Sequence, residues 1–334
     1  MTKTPIEIKR NSGGLVHIGT PEDGVVETMV EIDGSLFFIK EKGIYAVQMA
    51  DQIDPDRTNI SLPNAIPRTV LPEGSDCELV GKTLLTAVSL FDKGKLLPNG
   101  FDHGKALSLS LDVLTTLLAM HTGATEFEAA QQKACAKASS AFSGGSPHIP
   151  SMGDVTNPCR AFVQQAFHAQ GSLLAIVQLF YRDIKKRPWD TLYHRVKASY
   201  GADDTFIQFL SMAVPLLKGV MNIRDCLDHR NVKGVKLKDF ALQPDGQLTV
   251  PTIEVNFRGT RQTPISLAKF MTDVQEYFAT VFEMMIAHLC STHVKPPAPI
   301  FPIYIDMPAE NRRRWKHVRF YYGLRRNGEF TPVG

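Results

Sequence analysis

The sequence is short of the features that most readily name a function. Its five cysteines (Cys77, Cys135, Cys159, Cys226 and Cys290) are odd in number, widely scattered and never spaced C-x-x-C. Reduced thiols in a cytoplasm fit that pattern better than a disulfide framework. The opening MTKTPIEIKRN has no apolar stretch of the signal-peptide kind, and the expected location is therefore cytoplasmic. The longest apolar runs, 173–180 and 206–217, are interrupted by Gln178, Gln208, Ser211 and Pro215. They fall short of the roughly 20 apolar residues that a membrane span needs, so no membrane partner is expected. There is no internal repeat and no low-complexity tract.

Cofactor signatures are also missing. Gly81-Lys82-Thr83 invites comparison with a phosphate loop, but the glycine required five residues before the Gly-Lys pair is replaced by Asp76, and Gly74 lies two residues too early. Without that glycine the backbone cannot form the cradle. Gly13, Gly14 and Gly19 lack the order of a dinucleotide fingerprint, and no helical pattern follows them. No cofactor is expected.

What is present is ordinary globular material. The chain has 334 residues, 43% hydrophobic and 21% charged, with a net charge of +3. That is ample for a core and long enough for two domains, but the charge does not by itself identify a nucleic-acid binder. Residues 1–100 read as a β-rich N-terminal module, with strands at 35–40 and 44–49 around a Glu41-Lys42-Gly43 turn. Residues 51–75 carry Pro55, Pro63, Pro67 and Pro72 and read as an irregular connector; residues 79–91 read as a short helix. Residues 101–157 form a helical connector region, with helices at 105–121 and 125–141 and a Gly/Ser/Pro-rich loop at 143–157.

Residues 158–295 are mainly helical. Helices are predicted at 158–186, 189–200, 203–230 and 266–291, with Pro215 inside the third. A β-hairpin at 235–257 turns through Pro244-Asp245-Gly246. Residues 296–334 form a basic tail with strand patterns near 300–305 and 318–324 and an Asn327-Gly328 turn. The fold class is α+β.

The third helix ends in GVMNIRDCLDHRN, residues 219–231. After burying Phe206, Phe209, Leu210, Val214, Leu217 and Val220, it places Arg224, Asp225, Asp228, His229 and Arg230 within seven residues. One explanation is a solvated helix end in which Arg224 pairs with Asp228 at i,i+4. The other is a reaction site, because Arg224, polar Asp225 and His229 form an R-x4-H unit at the end of a core helix. In this the chain resembles the HEPN superfamily, whose RNase members carry an Arg, a polar residue and a His at this spacing. The resemblance covers roughly residues 158–293 and implies a helical bundle, here with an inserted hairpin and an N-terminal module added.

It also implies a metal-independent endoribonuclease. His229 would be the acid or base, its intrinsic pKa lying near working pH. Arg224 would bind the phosphate oxygens, and Asp225, four residues before His229, would orient the imidazole, although its carboxylate also repels phosphate. One chain supplies one such His, so the resemblance implies a homodimer with both motifs facing one cleft. It further implies a toxin or antiviral-defence role, with a regulatory partner protein.

Arg230 is a candidate additional phosphate contact. The tail segment 312–326, RRRWKHVRFYYGLRR, has seven Lys/Arg and no acid. Arg312, Arg313, Arg314, Trp315, Lys316 and Arg319 are candidate RNA contacts, cations for phosphates and rings for bases; a strand docked on the core with its basic face in water would use the same residues. His288-x-Cys290-x2-His293 lacks a second ligand cluster, so no metal is expected. His121, His168 and His194 are isolated and read as partly buried structural histidines. Two other functional classes fit the same chain: a noncatalytic HEPN-like module that binds nucleotide or RNA, and a protein-interaction module in which Arg224, Asp228 and His229 form a polar knot.

Overall fold

The computed structural model describes residues 3–12, 16–91, 96–141, 149–229, 233–295, 302–308, 319–326 and 328–332. In chain order the first elements are α1 (Pro5–Arg10), β1 (Val26–Ile32), β2 (Ser35–Lys40), β3 (Gly43–Met49), α2 (Ala50–Ile53) and β4 (Ala65–Leu71). A helical stretch follows as α3 (Glu78–Val80), a π-turn (Gly81–Leu85) and α4 (Thr86–Leu90). Next come α5 (His103–Ala141), α6 (Thr156–Phe180), α7 (Pro188–Tyr200) and α8 (Thr205–Asp228). The strands β5 (Val235–Lys238), β6 (Ala241–Leu242), β7 (Leu248–Thr249), β8 (Thr252–Phe257) and β9 (Thr260–Ser266) lead into α9 (Leu267–His293). The last elements are β10 (Tyr304–Asp306), β11 (Tyr321–Arg326) and β12 (Glu329–Pro332). Every strand pairing among the described residues is antiparallel, and the fold is α+β.

The chain divides into two compact units, residues 1–111 with 290–334, and residues 112–289. In the first, β1 to β4 form a meander in sequence order. Ile39 and Ile44, on adjoining strands, are fully buried. The expected irregular connector at 51–75 contains β4. Its Pro67 is accommodated because β4 is an edge strand, where a missing N–H leaves no unpaired neighbour. Gly74 then crosses the β2–β3 turn so closely that a Cβ would lie 2.1 Å from the Lys40 carbonyl oxygen, and Ser75 N–H donates to that oxygen at 2.8 Å.

Gly81, Lys82 and Thr83 are buried in the π-turn. The Thr83 and Thr86 hydroxyls donate to Leu79 O at 2.5 Å and Gly81 O at 2.9 Å, and Lys82 Nζ lies 2.6 Å from Glu78. The C-terminal strands belong to this unit. The Tyr322 hydroxyl donates to Leu90 O at 2.8 Å, and the Ser89 hydroxyl to Phe320 O at 3.0 Å. These bonds give the carbonyls of Leu90 and Phe320 hydroxyl partners.

In the second unit α8 packs against both α6 and α7. Asp204 caps its start, accepting from Phe206 N–H at 2.8 Å. Phe206, Leu210, Ala213, Leu217 and Val220 recur at helical spacing and are buried, each large side chain contributing about 1.5–3 kcal/mol. The buried Gln170 amide of α6 joins the three helices, its NH2 donating to Leu217 O at 3.1 Å and its oxygen accepting from Trp189 Nε1 at 2.6 Å. The two helices predicted between 105 and 141 are one, since Gly123 alone does not terminate a helix. The hairpin turns at Gly246 as expected, with Gln243 N–H donating to Gln247 O at 2.8 Å. It carries a third strand, β9, giving the order β5-β8-β9. On α9, Phe270, Val274, Phe278, Val281, Phe282, Met285 and Leu289 recur at helical spacing and are buried, whereas Tyr277 is exposed.

Two helices, His103–Lys137 and Thr205–Asp228, are long and apolar enough to cross a membrane by length and composition. About half of each apolar window, 50% and 56%, is buried inside the protein.

His288 of α9 stacks on Phe206 and Phe209, with centroids 5.0 and 5.2 Å away. Burial, partly opposed by Asp204, pushes its pKa from 6.5 down to about 4. The unfolded chain therefore binds the extra proton first, so stability present above pH 6.5 is lost as pH falls toward 4. Acid should cost about 2–3 kcal/mol through this group, and His288→Phe, which keeps the stack, should flatten that part of a denaturant-versus-pH series.

Candidate functional site

The charged turn expected at the end of the core helix lies on the last turn of α8. Arg224 is half-buried, its guanidinium carbon 5.0 Å from the centre of the Phe167 ring on α6. Its Nε lies 2.8 Å from Asp228 Oδ2 and its Nη1 3.5 Å from Asp225 Oδ1. The Nε–H is not directed at the Asp228 oxygen and has no hydrogen-bond acceptor among the described residues. Cation–π contact and charge attraction thus hold the guanidinium. Arg160 of α6 donates from Nε and Nη2 to Leu227 O at 3.3 and 3.0 Å, placing a cation on the negative end of the helix.

His229 is the first residue beyond the helix. Its N–H still donates to Asp225 O at 3.1 Å, but its backbone has left the helical region, at φ −101 and ψ 103. Its side chain is exposed, with no hydrogen-bond partner among the described residues. The Asp225 carboxylate does not bond the imidazole. It pairs with Arg258 Nη1 at 2.9 Å, a residue on the β8–β9 turn that sequence reasoning did not single out. The separation of 33 residues explains the omission: no periodicity links a helix end to a hairpin tip.

Two small-residue contacts bring that tip into place. Gly234 passes over β8 where a Cβ would lie 2.7 Å from Phe257 Cβ and 2.9 Å from Cys226 Sγ, and Asn256 N–H donates to Gly234 O at 2.7 Å. Asn222 of α8 donates to the Thr260 hydroxyl at 2.8 Å. Beside this tip opens a cavity of about 730 Å³ lined by α7, α8 and the β8–β9 turn, with Tyr193, His194, Asn222, Arg258 and Arg261 among its walls.

Other predicted residues are dispersed. Arg230, Arg312, Arg313, Arg314, Trp315 and Lys316 lie outside the described residues. Arg319 is half-buried in the first unit. Phe320 and Tyr322 are buried, so these two rings of the basic segment serve the core and are not open to bases. Arg325 pairs with Asp306 at 2.7 Å.

His288 is held in its aromatic stack, and the buried Cys290 thiol donates to Leu90 O at 3.7 Å. No group of three His, Cys, Asp or Glu suited to a metal occurs among the described residues. His121, His168 and His194 are exposed, not partly buried as expected. Burial pushes the Cys159 thiol up to about 12 and also raises Cys226 and Cys290, which keeps these three protonated and poor nucleophiles.

The cluster therefore offers a fixed guanidinium, an open imidazole and a second guanidinium from a turn, tempered by two carboxylates. Asp225→Asn removes one of those carboxylates and leaves both arginines. It should elute from heparin at higher salt than the parent while losing no more than about 1 kcal/mol of stability, because these pairs are partly solvated. Comparison with protein-family models, curated proteins and solved structures finds no match, so the geometry and the motif carry the functional reading.

Proposed function

We propose that the chain is a metal-independent endoribonuclease of the HEPN type, acting in the cytoplasm at a site completed by a second copy of itself. The observation that carries the reading is the contrast between two residues on one helix end. Arg224 is immobilised by Phe167, Asp228 and Asp225, whereas His229 projects past the helix into solvent. A positioned cation beside an accessible base is what phosphodiester transesterification needs. The imidazole takes the 2′-OH proton, the 2′-oxygen attacks phosphorus, and the P–O5′ bond breaks. Arg224 stabilises the charge that gathers on the non-bridging oxygens. The leaving 5′-oxygen takes a proton from His229 of the second copy, leaving a 2′,3′-cyclic phosphate and a 5′-hydroxyl. A nuclease of this kind is harmful to its own cell unless restrained, consistent with a toxin or defence role and a regulatory protein partner.

One observation favours the noncatalytic reading, a nucleotide- or RNA-binding module. Asp225 and Asp228 both lie within 3.5 Å of Arg224 and reduce the positive potential it presents. The two readings separate on His229→Ala in chelator-treated buffer. Under the nuclease reading, cleavage of a single-stranded RNA falls by at least about 100-fold while RNA affinity changes less than about twofold, because affinity comes mainly from cations. Arg224→Ala should lower both. A parent protein that binds RNA without cutting it supports the binding module.

A further inference from the structure

The cavity beside the β8–β9 turn has features that the R-x4-H motif does not require. Its volume of about 730 Å³ lies in the range of small-molecule sites. Its lining carries three cations, Lys218, Arg258 and Arg261, against one carboxylate, Asp190. Lys218 is occupied by Asp190 at 3.0 Å and Arg258 by Asp225 at 2.9 Å. Arg261 is exposed and has no ion-pair partner among the described residues. A cation at a cavity mouth without a protein counter-charge is a place for an anionic ligand.

The turn that presents these arginines is strained in an informative way. Phe257 pairs with Thr260 across a two-residue connection in which Arg258 has φ +46 and Gly259 φ +84. Such a hairpin turn favours Asn, Asp or Gly at its first position, and a left-handed arginine costs about 1–2 kcal/mol. The chain accepts that cost where it brings a guanidinium to the rim. The Asn222–Thr260 bond at 2.8 Å then ties the turn to α8, which sets where the chain enters and leaves the rim.

The other walls suit the rest of a nucleotide. Tyr193 and His194 of α7 meet edge to face, centroids 5.5 Å apart, and supply rings for a base. Leu210, Val214 and Pro215 of α8 form an apolar floor. Cationic rim, aromatic wall and apolar floor are the three elements that recognise a nucleoside phosphate.

We propose that this cavity is a nucleoside-phosphate site, with the phosphate held by Arg261 and the base placed against Tyr193. The phosphate comes either from a free nucleotide or from a nucleotide within an RNA strand. The strand as a source rests on the nuclease reading above; the cavity and its cations do not.

The test is performed on the full-length His229→Ala protein, so that RNA stays intact, using anisotropy of a fluorescein-labelled single-stranded oligoribonucleotide and competition by AMP. Arg261→Ala should weaken oligonucleotide binding about 5- to 10-fold and reduce the log–log salt slope by about 0.7, one phosphate contact. Tyr193→Leu should weaken it at least about 5-fold with the salt slope unchanged. Arg261→Gln replaces Arg261→Ala if circular dichroism shows that variant unfolded. Displacement of the oligonucleotide by millimolar AMP supports a site for free nucleotide. No displacement, together with the Arg261 effect, supports a strand site. Equal binding by the parent and both folded variants overturns the proposal, as does absence of binding to either probe. Cleavage by the parent is scored separately, so either reading can fail while the other survives.

Discussion

A helix that is apolar for most of its length and charged in its last turn has few acceptable placements. Its apolar face must be buried among partners, while its end must reach water or find counter-charges. For α8 the first demand is met by α6 and α7, joined through the Gln170 amide to Trp189 and Leu217. The second is met by Arg160 on the terminal carbonyl of Leu227, by the carboxylates beside Arg224, and by Arg258 from the hairpin tip. The positions of the candidate catalytic residues follow from that arrangement. Arg224 lies one turn inside the helix, where an aromatic ring and acids restrain it, and His229 lies one residue beyond, where its side chain has no hydrogen-bond partner among the described residues.

Much of this was legible because it is local. The core face of α8, helix α9, strands β2 and β3, and the Pro244-Asp245-Gly246 turn are all written in short-range periodicity or turn chemistry, whereas the end of α8, expected at residue 230, falls at 228. The readings that changed depend on pairing or context. Proline made 51–75 look irregular, yet Pro67 sits in an edge strand. Strand β9 carries Pro264 and polar residues, and is defined mainly by its pairing with β8. Phe320 and Tyr322, two rings of the basic segment 312–326, are buried, and the Tyr322 hydroxyl reaches Leu90 O, a contact that no local pattern announces.

The site was legible in membership and less so in wiring. Five ionisable residues between 224 and 230 mark the helix end in the sequence, but an i,i+4 bond between Asp225 and His229 presumes that both are helical. His229 is not, and a guanidinium offers a carboxylate a stronger partner than a neutral ring does. Arg258 and Arg160 were invisible in the sequence because they come from a turn 33 residues downstream and a helix 67 residues upstream. The cavity was equally invisible, being assembled from α7, α8 and the β8–β9 turn.

The central claim is that the end of α8 performs phosphodiester chemistry through the neighbouring 2′-hydroxyl, with no metal. The chemistry of the cut ends tests it most directly. Single-stranded RNA incubated with the purified protein in EDTA and analysed by mass spectrometry should yield fragments ending in 2′,3′-cyclic phosphate, each followed by a fragment starting with 5′-hydroxyl. Fragments bearing 3′-hydroxyl and 5′-phosphate, produced only when a divalent metal is restored, would contradict the account.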